Sequence, residues 1–101
     1  MIHTIKSTGQ RIEVQIKGRL TYTDYNNFRS ISDILGTSEG QHCSMDLSEL
    51  EFIDSAGLGM LLLARDKVFE NKGTIALKGA HGQVKKMLEL GKFDDLFLIE
   101  T

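Results

Sequence analysis

The sequence predicts an α/β fold, a mixed β-sheet of about four to five strands packed against helices in the order β-β-α-β-α-β-α-β. Three observations carry this. Ile12, Val14 and Ile16 alternate with Arg11, Glu13, Gln15 and Lys17, the period of two of a strand with one buried face. Tyr25, Phe28, Ile31, Ile34 and Leu35 then recur at helical spacing. The two periods keep exchanging to the C-terminus, with short glycine-marked breaks between them.

The elements follow in order. Ile2–Lys6 alternates like the strand after it, and Ser7-Thr8-Gly9-Gln10 supplies turn chemistry, so the two strands form a hairpin. After Gly18 the first helix begins, with Thr21 or Thr23 as candidate caps and Gly36 as its stop. Cys43, Met45 and Leu47 form a strand whose thiol is expected in the core. The next helix is the most apolar. Leu58, Leu61, Leu62, Arg65 and Phe69 fall on one face, with Met60, Leu63, Ala64 and Val68 beside it. Past Gly73, Thr74–Lys78 is a strand and Gly82–Leu90 a helix with Val84, Met87 and Leu88 inward, closed by Gly91. Phe93–Ile99 ends the chain as a strand or extended tail, and each strand–helix–strand unit should pair in parallel.

Composition narrows the function. A chain of 101 residues fits a single domain over 1–101, with one core. A formal charge of −2 without a basic run gives no electrostatic footprint for nucleic acid. No stretch approaches the roughly 18 apolar residues that cross a bilayer, and no signal peptide opens the chain, so a cytoplasmic protein is expected. One cysteine cannot form an internal disulfide and suits a reducing compartment. His3, His42 and His81 are scattered, no cluster has metal-ligand spacing, and neither metal nor cofactor is expected.

The most informative run is Asp46-Leu47-Ser48-Glu49-Leu50-Glu51-Phe52-Ile53-Asp54-Ser55-Ala56-Gly57-Leu58-Gly59. A strand leads through a turn to a buried helix, and Ser55 falls at or beside that helix's N-terminus. Unpaired amides and the helix dipole favour negative charge there. Ser55 is then either an N-cap or the acceptor of a phosphate, and one role does not exclude the other. Gly57 and Gly59 weaken the helix start by about 1 kcal/mol each relative to alanine, which suggests close approach of backbone or partner.

This run resembles the signature of the STAS domain, specifically the bacterial anti-sigma factor antagonists. Gly18-Arg19-Leu20 is similar to that family's approach to its first helix, and Gly73-Thr74-Ile75-Ala76-Leu77 to its penultimate strand. Val84-Lys85-Lys86-Met87-Leu88, with Gly91, Phe93 and Ile99, resembles the last helix and strand. The resemblance implies a non-enzymatic binding switch with Ser55 as phosphoacceptor. It also implies an anti-sigma factor with serine kinase activity as partner and a PP2C-type phosphatase that removes the phosphate. Where the family often has an acidic residue near the phosphoacceptor this chain has Thr21; either Asp24 substitutes or the kinase reads the site differently.

A phosphoserine adds about −1.5 to −2 units of charge, and burying it unpaired under a partner costs several kcal/mol. The expected binding face comprises Thr21, Thr23, Asp24, Glu51, Phe52, Asp54, Ser55, Ala56, Gly57, Leu58 and Gly59. Phe52 is either an exposed anchor or a core residue. Asp54 either orients the Ser55 hydroxyl, helps a kinase recognise it, or is a solvated turn carboxylate. Within the family the alternative is an output of a two-component pathway, its partner a response regulator with kinase and phosphatase modules and its target not a sigma factor. A constitutive scaffold is a third possibility. A serine hydrolase is disfavoured, because Ile53 stands where a nucleophile elbow needs glycine. The hairpin and the short chain also disfavour a phosphoaspartate receiver.

Overall fold

In the computed structural model, which describes residues 1–37 and 39–100, the opening hairpin is longer than the alternation predicts. Strands β1 (Ile2–Thr8) and β2 (Arg11–Leu20) pair antiparallel from Ile2↔Lys17 to Thr8↔Arg11, closed by a tight turn at Gly9 and Gln10. The remaining strands are β3 (His42–Asp46), β4 (Leu50–Ile53), β5 (Thr74–Lys78) and β6 (Leu98–Glu100). All of their pairings are parallel, in the order β1-β2-β3-β5-β6, with β4 against β2. The expected mixed sheet is present, with six strands among the described residues rather than four or five.

The additional strand is β4. Its four residues, Leu-Glu-Phe-Ile, show no period of two, so pattern alone reads them as turn. They become a strand because β2 changes partner. It pairs with β3 as far as Gln15↔Asp46, then with β4 from Gly18↔Leu50, across a register shift between Gly18 and Arg19. Gly18 at φ +86° occupies left-handed backbone that a side chain would strain. In the intervening turn the Asp46 carboxylate accepts the Ser48 amide at 2.9 Å.

Among the described residues three helices cover one face of this sheet: α1 (Tyr25–Leu35), α2 (Ser55–Glu70) and α3 (Gly82–Leu90). Their buried side chains join Ile12, Val14, Ile16, Cys43, Met45, Ile75 and Leu77 in one core. Burial pushes the Cys43 thiol up to about 12, so it behaves as a small apolar group. The opposite face is polar, and Lys78 reaches Glu13 across it at 3.2 Å.

The buried stripes differ from those expected. On α1, Phe28, Ile31, Ser32 and Leu35 face inward while Tyr25 and Ile34 are exposed. On α2 the buried residues are Gly57, Met60, Leu61, Ala64 and Val68, not Leu58, Leu62, Arg65 and Phe69. A helix apolar around most of its circumference has no face that periodicity alone can choose. Arg65 instead lies 4.2 Å over the exposed Phe69 ring and donates to the Leu96 carbonyl. Neither Thr21 nor Thr23 caps α1. A 3-10 turn, Tyr22–Asp24, intervenes, and Asp24 holds the cap position. The expected terminal strand likewise begins as a 3-10 turn, Phe93–Asp95, in which Phe93 stacks on Phe97 at 5.4 Å.

Candidate functional site

The site is built at the start of α2, and Asp54 fixes it. Its backbone is extended, its Oδ1 accepts the Gly57 amide at 2.7 Å and its Oδ2 accepts the Tyr22 amide at 3.1 Å. The Asp54 amide donates to the Leu20 carbonyl at 3.2 Å. One side chain thus caps α2 and holds the Tyr22–Asp24 turn against it. The N-cap is Asp54, which corrects the reading of Ser55 as the cap and of Asp54 as a free turn carboxylate. Ser55 is the first residue of α2 and is exposed. The first turn of a helix leaves its amides without intrahelical acceptors. Asp54 takes that of Gly57, and among the described residues those of Ser55 and Ala56 have no acceptor.

The two glycines of the motif do different work. A Cβ on Gly57 would lie 2.6 Å from both the Leu20 carbonyl oxygen and Ile53 Cγ1, so only glycine lets α2 approach β2 this closely. A Cβ on Gly59 would meet nothing within 4 Å, so close packing explains the first glycine only. Behind Asp54, Ile53 is held from α3. The Gln83 Oε1 accepts its amide at 2.9 Å, and Nε2 donates to its carbonyl at 2.8 Å.

The other residues singled out in the sequence divide into exposed and structural groups. Glu51, Ala56 and Thr23 are exposed, while Thr21, Leu58 and Gly59 are half-buried. The Thr21 and Thr23 hydroxyls lie 3.0 Å apart. Phe52 is neither core nor free anchor, because it is half-buried with the Arg19 guanidinium 4.2 Å over its ring. Asp24 is buried; its carboxylate accepts the Thr21 amide at 2.9 Å and meets the Met1 ammonium at 3.1 Å. Burial pushes its pKa up, but the Thr21 amide and the ammonium outweigh that and hold it below the ordinary value. The carboxylate is therefore spent inside the fold. His81 Nε2 lies 2.8 Å from the Ser48 carbonyl oxygen, and His42 bonds Thr74. Among the described residues no cluster of three His, Cys, Asp or Glu side chains could hold a metal, and no helix is long and apolar enough to cross a membrane.

Sequence reasoning missed an apolar depression beside Ser55. Tyr22, Tyr25 and Leu63 line it with Ala56, Gly59 and Met60. Tyr22 is 73% exposed, Tyr25 49% and Leu63 48%, so three large side chains crowd one wet surface. The only sequence signal was Tyr22 standing just ahead of a helix; Leu63 was lost among the leucines of α2.

Comparison with known proteins agrees with this architecture. A family model described as "Mlab, STAS domain" matches residues 3–100. A STAS-domain containing protein of Pseudomonas aeruginosa (strain UCBPP-PA14) is 32% identical over 91 residues, covering 90% of this chain and 89% of that one. Among solved structures, an anti-sigma-factor antagonist (STAS) domain protein from Planctomyces limnophilus superposes with a TM-score of 0.85 at 15% identity, over 98% of this chain and 89% of that one. The anti-sigma factor antagonist SpoIIAA, unphosphorylated, gives 0.74 at 16% identity, over 99% of this chain and 87% of that one. The phosphorylated form of SpoIIAA, a Bacillus cell fate determinant, gives 0.73 at 14%, over 99% of this chain and 92% of that one. At these identities the structural likeness speaks for the fold.

Proposed function

This chain belongs to the STAS domain family, and from that premise we propose that it is a protein-binding switch of the anti-sigma factor antagonist type, controlled by phosphorylation of Ser55. The observation that carries the proposal is the exposed Ser55 at the first position of α2, beside the apolar depression of Tyr22, Tyr25 and Leu63. An exposed hydroxyl is open to a kinase, and an apolar surface next to it is what a partner would cover.

The local electrostatics support modification without unfolding. A phosphate on Ser55 meets the open amides of the first turn, which favours it, and the neighbouring Asp54 carboxylate, which opposes it. With one effect offsetting the other and water at hand, the fold tolerates the charge. A partner seated on Tyr22, Tyr25 and Leu63 excludes that water and leaves the dianion unpaired, at a cost of several kcal/mol. About 3 kcal/mol already weakens binding roughly a hundredfold.

On this proposal the unmodified protein binds an anti-sigma factor with serine kinase activity. Phosphorylation releases it, and a PP2C-type phosphatase resets the switch. Binding, not catalysis, is the activity. The test is intact-mass analysis of wild type and Ser55→Ala after incubation with extract of the native host and ATP. One added phosphate that is lost in Ser55→Ala supports the proposal. A phosphate that persists in the variant moves the switch elsewhere, and none at all favours a constitutive binding module.

A further inference from the structure

Strand β1 forms one edge of the sheet, and among the described residues no strand pairs with its outer side. Its pairing with β2 runs without a bulge over all seven residues, from Ile2 to Thr8. The outer N–H and C=O groups of such an edge are a template for another strand, and folds ordinarily blunt them with proline, bulges, charges or a covering element. Here Ile2-His3-Thr4-Ile5-Lys6-Ser7-Thr8 holds no proline and one side chain charged at neutral pH, Lys6. The opposite edge, β6, is three residues long among the described residues. The long, flat, open edge is therefore β1.

The side chains select what fits it. All of β1 is exposed except Ile5, which is half-buried against the core. Ile5 stands opposite Val14 on the helix-covered face, with His3 opposite Ile16 and Ser7 opposite Ile12. Ile2, Thr4, Lys6 and Thr8 belong to the other face. Two copies of β1 laid antiparallel about a twofold axis keep both helix layers on one face only when the register is centred on a residue. Centring on Lys6 sets two lysines against each other, which is unfavourable. Centring on Thr4 sets Ile5 against His3 and Ile2 against Lys6. Centring on Ile5 pairs the whole strand: Ile2 with Thr8, His3 with Ser7, Thr4 with Lys6, and Ile5 with Ile5 of the second copy. Val14 and Ile5 of both copies then form one row of four β-branched side chains across the junction, which completes the burial of Ile5.

We propose that β1 is a self-association edge, on which a second copy of this chain adds its own β1 antiparallel, centred on Ile5, to make one continuous sheet. The twofold axis reverses β2 of the second copy. The two Ser55 positions, which follow the paired Leu20 and Ile53, therefore lie at opposite ends of the joint sheet. Association leaves the surface around Ser55 free, so the inference stands apart from the reading of Ser55 as a switch. A junction of seven residues falls short of the roughly 800 Å2 per partner of a standard interface, and the dimer forms with a Kd between about 10 μM and 1 mM.

Sedimentation velocity of the full chain over a concentration series tests this, on wild type and on two variants of Thr4, which is exposed and meets Lys6 of the second copy in this register. Thr4→Glu sets two carboxylates against two lysines and should tighten the dimer roughly two- to tenfold. Thr4→Lys sets like charges together twice and should weaken it by a similar factor, and both shifts should shrink in about 1 M salt. In wild type, amide hydrogen exchange should slow with rising concentration at alternate residues of β1, where the outer N–H groups gain acceptors. A chain that stays monomeric to about 1 mM overturns the proposal. A dimer that the two variants leave unchanged, or shift in the same direction, also overturns it and places the contact on another surface, such as Tyr22 and Leu63.

Discussion

The side-chain amide of Gln83 lies along the backbone of Ile53 as a neighbouring strand would, accepting its N–H at 2.9 Å and donating to its carbonyl at 2.8 Å. It joins α3 to the end of β4, two residues before Ser55. Replacing Gln83 by alanine strands a half-buried donor and acceptor. A loss of about 1–3 kcal/mol in urea denaturation is expected, with faster hydrogen exchange at Ile53. Gln83→Glu should not rescue it, because an oxygen would then face the Ile53 carbonyl. Wild-type stability in both variants would remove the clamp from the account of the site.

Gly57 and Gly59 give a paired test. Gly57→Ala forces a methyl to within 2.6 Å of the Leu20 carbonyl oxygen and should destabilise by about 1–3 kcal/mol or more. Gly59→Ala adds a methyl in open space and should stabilise by up to about 1 kcal/mol through helix propensity. Equal effects would mean that close packing does not distinguish the two positions. Because Gly59 lines the apolar depression, its alanine variant should also bind a partner less well.

Much of this was legible in the residues. The alternation on β2 and β3 reads cleanly because one face of each is buried and the other wet. The Asp54-Ser55-Ala56-Gly57 run marks a helix start, since small and capping residues gather where amides are unpaired. Strand β4 was hidden because its pairing with β2 is set some 30 residues away in the chain, by the bulge at Gly18. The inward face of α2 was hidden because Leu61, Leu62 and Leu63 are interchangeable until the sheet selects one. The exposure of Tyr22 and the internal use of Asp24 are tertiary facts with no local pattern.

Stability should fall in acid, and two carboxylates set the sign. Asp24 is held below the ordinary carboxylate value as described above. For Asp46, burial raises the pKa, but bonds from Ser48 and the nearby Lys78 charge outweigh it and lower it. A group with a depressed folded-state pKa contributes stability that is complete above its unfolded value, about 3.9. That stability is lost as pH falls through the folded value. The difference between the denaturation midpoints of wild type and Asp24→Asn should therefore be full at pH 6 and shrink as pH falls below about 4. A difference that is the same at pH 6 and pH 3 would show that the Asp24 charge is not what matters.

Asp54→Ala removes the cap of α2 and the tie to Tyr22 together. A cost of about 0.5–2 kcal/mol is expected from the lost cap alone. Crosslinking or chemical-shift mapping should show the Tyr22–Asp24 turn moving with the start of α2. A turn that stays in place would assign its position to the Asp24 bonds instead.

The central claim is that charge on Ser55 governs partner binding. It is tested most directly by titration calorimetry of the proposed partner, an anti-sigma factor of the native host, against this protein made with serine or with phosphoserine at position 55. The expected result is tight binding of the unmodified protein and a loss of roughly a hundredfold or more on phosphorylation, with an unchanged circular dichroism spectrum. Equal affinity of the two forms would contradict it.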